Sequence, residues 1–133
     1  MAKRSMDPDG LPSPVGPYSN VVVAPPGGRL VFCAGQVALD ADGEIVGAGD
    51  IVAQTRQVMS NIQQALAAAG ATFDDVVKIT NYITDVGEFG RMAGVRREYL
   101  REPYPASTLI EVQALMFPEL MIEIEAIAVV AAD

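Results

Sequence analysis

Three stretches of the chain, VVVAP, LVFCAG and IAVV, are apolar at odd and even positions alike. Successive side chains of an extended strand point to opposite faces, so such strands put apolar atoms on both sides of any sheet they join. That sheet has to be covered twice, by other elements or by another copy of the chain. Only two segments carry helical spacing, and the sequence therefore predicts a sheet whose second face is left for self-association.

The elements follow in order. Residues 1–13 are polar and turn-prone and read as a flexible arm ending at Pro14. Residues 14–133 read as a single domain, because 133 residues support one core and are too few to suggest two. SNVVVAP and GRLVFCAGQ, separated by PPGG, read as two strands of an antiparallel hairpin, and LDADGEIV repeats the form around Asp42-Gly43. Asp50 is an acceptable N-cap. From there Ile51, Thr55, Val58, Ile62, Leu66 and Ala69 recur at helical spacing, and Gly70 supplies a left-handed stop. VVKITNYIT alternates as a strand. Asp85 and Glu88 look like a capping pair for a second helix striped by Phe89, Met92, Val95 and Tyr99 and ended by Pro103 and Pro105. STLIEVQAL and LMIEIEAIAVV complete the list as strands, divided at Phe117-Pro118. This order predicts an α+β domain, a mixed sheet of about six strands with two helices packed on one face.

Composition excludes several kinds of chemistry. There is no histidine, which removes Ser-His and Cys-His nucleophile pairs and the usual zinc sets, so no metal is expected. Neither GxxxxGK[ST] nor GxGxxG occurs, and no bound nucleotide or other cofactor is expected. Seventeen acidic against nine basic residues give a net charge of −8, which opposes nucleic-acid binding because phosphate affinity rests on Lys and Arg. A single cysteine, Cys33, cannot form an internal disulfide, and no secretory or membrane segment is apparent. Cytoplasmic residence is the default expectation. Cys33 itself, in an apolar strand, reads as a small core residue.

The run MIEIEAIAVV then poses a question, because two carboxylates sit inside it. Glu123 and Glu125 share a face with Met121, Ile127 and Val129, while Ile122, Ile124, Ala126 and Ala128 point the other way. Either the pair is a solvated patch on an exposed sheet face, or one carboxylate lines a cleft.

Taken together and in order, VGPYSN, FCAGQVALD, GDIVAQTRQVMSNIQQALAAAG, YPASTLIEV and IEIEAIAV resemble the reactive-intermediate deaminase family, RidA or YjgF, also called the L-PSP endoribonuclease family. The resemblance runs from Pro14 over almost the whole chain. It implies a chorismate-mutase-like fold, a homotrimer with its sheets facing inward, and clefts between subunits in which imines or enamines are hydrolysed to a keto acid and ammonia. Position by position, it implies that Tyr18 and Glu123 are catalytic residues of the cleft, with Glu123 activating water, and that the turn Ala34-Gly35-Gln36 binds substrate beside them. A carboxyl group in an apolar setting can exchange protons with water near neutral pH, as that role needs. Founding members carry PARS before the fifth strand, where the arginine grips the substrate carboxylate. Here the segment reads Pro105-Ala106-Ser107-Thr108, the cysteine common two residues after the arginine is Leu109, and an asparagine of the second helix is Ala93. Losing a bidentate arginine from a desolvated site costs on the order of 2–5 kcal/mol for a carboxylate ligand. Three readings follow. Arg96, Arg97 or Arg101 replaces it, although basic residues at a helix C-terminus are also ordinary dipole partners. Ser107 and Thr108 receive a neutral or differently charged substrate, with Glu123 still activating water. Or the cleft only binds a ligand, and the protein is a non-catalytic, regulatory trimer.

Overall fold

The computed structural model describes residues 2–132. Asp50 opens the long helix α1 (Ile51–Ala68) by accepting hydrogen bonds from the amides of Val52 and Ala53, each at 3.1 Å. At the other end Gly70 takes φ +74°, its amide bonds to Ala67 O, and the amide of Ala71 reaches back to Leu66 O. The last carbonyls are thus satisfied by a left-handed stop that only glycine enters without strain. Both ends of α1 match the sequence reading.

Four strands form the main sheet: β3 (Arg29–Gln36), β4 (Val76–Ile83), β5 (Ala106–Glu111) and β6 (Ile122–Val130), in the order β3-β6-β4-β5. β6 is antiparallel to both β3 and β4, and β4 and β5 are parallel. Helix α1 therefore carries the chain from β3 over β6 to β4, and the shorter α2 (Phe89–Arg96) carries it from β4 to β5. Both crossovers advance in the same direction across the sheet. With one preferred handedness they put both helices on the same face. Against that face pack Val58, Met59, Ile62 and Leu66 of α1, Met92 of α2, and Ile79, Ile83, Ile122 and Ile124 of the sheet, all fully buried. Cys33 lies in this core, as expected, and burial raises its thiol pKa.

The expected hairpin is not formed. β2 (Val21–Val23) pairs with β1 (Arg4–Met6), and β3 pairs with β6 instead. The six strands are thus divided between a four-stranded mixed sheet and a two-stranded ribbon. The Pro-Pro-Gly-Gly turn lies over the end of β6: a Cβ on Gly28 would sit 2.4 Å from Val129 Cγ1 and 2.9 Å from the carbonyl oxygen of Val130. That close approach covers Val129, which is buried although the same parity of β6 is otherwise half open. The first residues are also anchored, because Lys3 is buried and donates to Val76 O at 2.6 Å.

The second helix differs from its sequence reading at both ends. Asp85 caps a 3-10 turn, Val86–Glu88, by accepting from Gly87 N at 2.9 Å, and Glu88 pairs with Arg91 without closing a capping box. α2 ends at Arg96, well before Pro103. Residues 97–100 continue as a turn, with the amide of Leu100 bonded to Arg96 O.

Candidate functional site

Alternation along β6 sends Ile122, Ile124, Ala126 and Ala128 into the core and leaves Glu123 and Glu125 half-buried on the sheet face without helices. Their neighbours on that face follow from register: Tyr82 beside Glu123, Thr80 beside Glu125, and Phe32 beside Ile127. The two carboxylates are not equivalent. Tyr82 donates its hydroxyl to Glu125 Oε1 at 2.8 Å. That hydrogen bond, with burial and the charges of both glutamates, raises the tyrosine pKa. Glu123 instead lies over Gly35, where a Cβ would come within 2.1 Å of its Oε2. Glycine at that position is what lets the carboxylate rest on the backbone.

The Ala34-Gly35-Gln36 segment read as a turn is a β-bulge within β3. Cys33 pairs with Ala126 and Gln36 with Ile124, so Ala34 and Gly35 together oppose Glu125. A bulge bends the strand and re-aims its side chains, and here it brings residue 35 onto Glu123. Gln54 of α1, fully buried, holds the entry to β6, the strand that carries Glu123. Its amide nitrogen donates to Glu119 O and Gly47 O, and its oxygen accepts from Met121 N.

Ser107 and Leu109 have the opposite parity on β5, pairing with Ile79 and Asn81 of the buried face. They line a cavity of about 460 Å³ together with Tyr18 and Arg96. Val15, Pro17, Val86 and Phe89 give it apolar walls. The VGPYSN loop is pinned there because Ser19 bonds to Pro105 O through its amide and to Tyr104 O through its hydroxyl, at 2.9 and 2.6 Å. Tyr18 folds over the loop and its hydroxyl accepts from Val15 N. Arg96 has 2% of its surface exposed. Its Nη2 donates to Ser107 Oγ at 3.4 Å and its Nη1 to Met92 Sδ at 3.7 Å, while Nε has no partner among the described residues. No carboxylate pairs with it among those residues. Burial, reinforced by the charge of Arg97, lowers its pKa to about 10.

The remaining candidates fall elsewhere. Thr108 is exposed on the open face, where its hydroxyl accepts from Lys78 Nζ at 2.6 Å. Arg97 is exposed, and Arg101 is held by both oxygens of Asp74. One chain therefore gathers two clusters on opposite faces of the sheet: Glu123 with Gly35, and Tyr18 with Arg96, Ser107 and Leu109. Asn81 went unnoticed in the sequence. It is fully buried and donates to Ser107 Oγ at 3.0 Å and Thr108 O at 2.9 Å. Its signal was parity, a polar residue in register with Ile79 and Ile83.

The pattern of one protein family, Endoribonuclease L-PSP, matches residues 10–130. A RutC family protein of Pyrococcus horikoshii is 46% identical over 121 residues, which make up 90% of this chain and 92% of that protein. The 2-iminobutanoate/2-iminopropanoate deaminase of Capra hircus is 34% identical over 130 residues, 97% of this chain and 91% of that enzyme. Among solved structures, the Rid family protein YyfB from Yersinia pestis superposes with a TM-score of 0.89 at 38% identity, covering 98% of this chain and all of the other. Among the described residues, no helix is long and apolar enough to cross a membrane.

Proposed function

The chain belongs to the Endoribonuclease L-PSP family, the YjgF/RidA proteins, and on that premise we propose that it is a small-molecule deaminase that hydrolyses an imine or enamine with water activated by Glu123. The observation that carries this reading is the contact of the Glu123 carboxylate with the Gly35 backbone at the bulge of β3. A carboxylate set against main chain, half-buried beside Tyr82 on a face it shares with Phe32, Ile127 and Thr80, is a positioned base and not a freely solvated charge. The activity in the name of the goat relative supports the reaction class.

The chemistry balances without a cofactor. Glu123 takes a proton from water as the oxygen bonds to the carbon of the N-protonated imine, giving a carbinolamine. That proton then passes from Glu123 to nitrogen, the C–N bond breaks as the hydroxyl oxygen becomes the carbonyl and gives its proton back to the glutamate, and a carbonyl compound and ammonia leave. An enamine enters the same route after moving a proton to carbon. Tyr18 and Ser107 lie on the other sheet face of the same chain, so the reading includes a homotrimer in which one copy's Glu123 meets the other cluster of a neighbour. The exposed apolar face of the sheet, with Leu30 and Phe32 outermost, supports association. The charge of −8 makes RNA an unsuitable substrate.

The test is ammonia and keto-acid release from imines generated in situ by an amino-acid oxidase. Glu123→Gln is expected to abolish turnover with the assembly intact, and Gly35→Ala, which pushes the carboxylate aside, to lower it about 100-fold. Turnover by Glu123→Gln at the parental rate sinks the mechanism. Saturable ligand uptake with no turnover in the parent would favour the non-catalytic alternative.

A further inference from the structure

We propose that Arg96 is the anion-receiving group of the cavity beside Ser107, and that the ligand it takes is a small monocarboxylate with a compact apolar tail. This rests on the deaminase reading for the claim that the bound carboxylate belongs to a substrate; the anion site itself stands on the geometry. A guanidinium is rarely withdrawn from water without a partner, because removing it costs far more than burying an apolar side chain of the same size. Arg96 is withdrawn, and its neighbours supply only a thioether and a hydroxyl. Nε has no partner among the described residues and Nη2 has only a long bond to Ser107 Oγ, and Arg96 and Ser107 both line the cavity. A guanidinium with donors to spare and no counter-charge fits a carboxylate, which accepts from two of its protons at once.

Ser107 completes the site. Its oxygen accepts from both Asn81 Nδ2 and Arg96 Nη2. A hydroxyl has two lone pairs and one proton, so with both pairs engaged the proton is left to donate to a ligand. The position where founding members carry an arginine has thus become a relay between Asn81 and a cation supplied from α2. Phe89 and Leu109 flank the cavity, and such walls favour a short apolar tail over a sugar or a second charge.

The test is titration of the intact protein with 2-oxobutanoate, its methyl ester and inorganic phosphate, followed by calorimetry and ligand-observed NMR, for the parent, Arg96→Met, Arg96→Lys, Ser107→Ala and Glu123→Gln. Saturable binding of the acid is expected, with the ester and phosphate weaker. Arg96→Met should weaken the acid at least ~30-fold, as removing one partner of a buried charge pair does. Ser107→Ala should weaken it about 5-fold, Arg96→Lys should fall between parent and Arg96→Met, and Glu123→Gln, which removes a like charge from the shared cleft, should bind the acid at least as tightly as the parent. Equal affinity for acid and ester, tighter binding of phosphate, or an Arg96→Met affinity within threefold of the parent overturns the proposal. The first two outcomes need only the parent, so they decide the matter even if Arg96→Met does not fold. Binding without turnover in the parent removes the catalytic reading and leaves Arg96 in place. Turnover unaffected by Arg96→Met does the reverse.

Discussion

At the scale of single residues, stability and function pull apart at Arg96. Its pKa, lowered to about 10 by burial and by Arg97, means that the charged form is destabilised in the folded chain relative to the unfolded one. The unfolded state holds the proton more tightly, so the cost is fully present below about pH 10 and is relieved only as pH rises through that value. Arg96→Met keeps the side-chain volume and removes the charge. We expect it to gain on the order of 2–3 kcal/mol at neutral pH, read as a raised urea midpoint that is constant between pH 6 and 9. A loss of stability in that variant would mean that Arg96 has a counter-charge in the assembly, and the anion site would go with it. The sequence pointed to Arg96 without separating it from Arg97 and Arg101, because helical spacing does not show which of three nearby arginines turns inward. Glu123 was easier to find: a charge at alternate positions of an apolar run stands out on parity alone. Asn81 obeys the same rule and was overlooked because asparagine is not a charge.

At the scale of elements, the helices were legible because their signals are local. The Asp50 cap, the apolar spacing and Gly70 all lie within twenty-one residues, and each performs in the structure the job its chemistry suggests. The hairpin failed for the complementary reason. Strand pairing is a contest between distant partners, and β6, nearly a hundred residues away, offers β3 a longer ladder than Val21–Val23 does. Nothing in PPGG records that Gly28 packs on Val129. The entry to β6 depends on an equally non-local contact, since Gln54 in α1 serves Gly47 O, Glu119 O and Met121 N at once. Gln54→Leu would leave Glu119 O and Met121 N without partners, at roughly 1 kcal/mol each or more, while Gly47 O keeps its bond from Asp50 N. We expect a loss of about 2 kcal/mol in chemical unfolding, together with reduced turnover, because Met121 lies two residues before Glu123. Unchanged unfolding would show that water or rearrangement satisfies these groups equally well.

At the scale of the whole molecule, the double apolar parity that opened the reading of the sequence finds only half its partner within one chain. Helices cover one face; on the other, Leu30 is 60% and Phe32 70% exposed, with Ile127 beside Phe32 and Ile110 exposed on the opposite edge strand. Lys78, Glu123, Glu125 and Tyr82 share that face, so what covers it must accommodate charges as well as apolar atoms. Meanwhile the Glu123 cluster and the Arg96 cluster look out from opposite sides of a single sheet. No rotamer change can bring them within reach of one small substrate. If both act on the same molecule, the second copy of the chain is part of the active site and not merely a stabiliser. Phe32→Glu tests this at the right scale, since it places a charge on the most exposed apolar part of that face, on edge strand β3, without touching either cluster. We expect the parent to sediment as an oligomer of the 14.0 kDa chain and the variant to shift toward the monomer, with turnover falling in proportion to the oligomer lost. Carboxylate binding should outlast turnover in that monomer, because Arg96, Ser107 and Asn81 all belong to one chain, whereas a water-activating glutamate has to arrive from another. A monomeric variant that still turns over substrate at the parental rate would require both steps to occur on one face, and Glu123 would then have to be exchanged for another base.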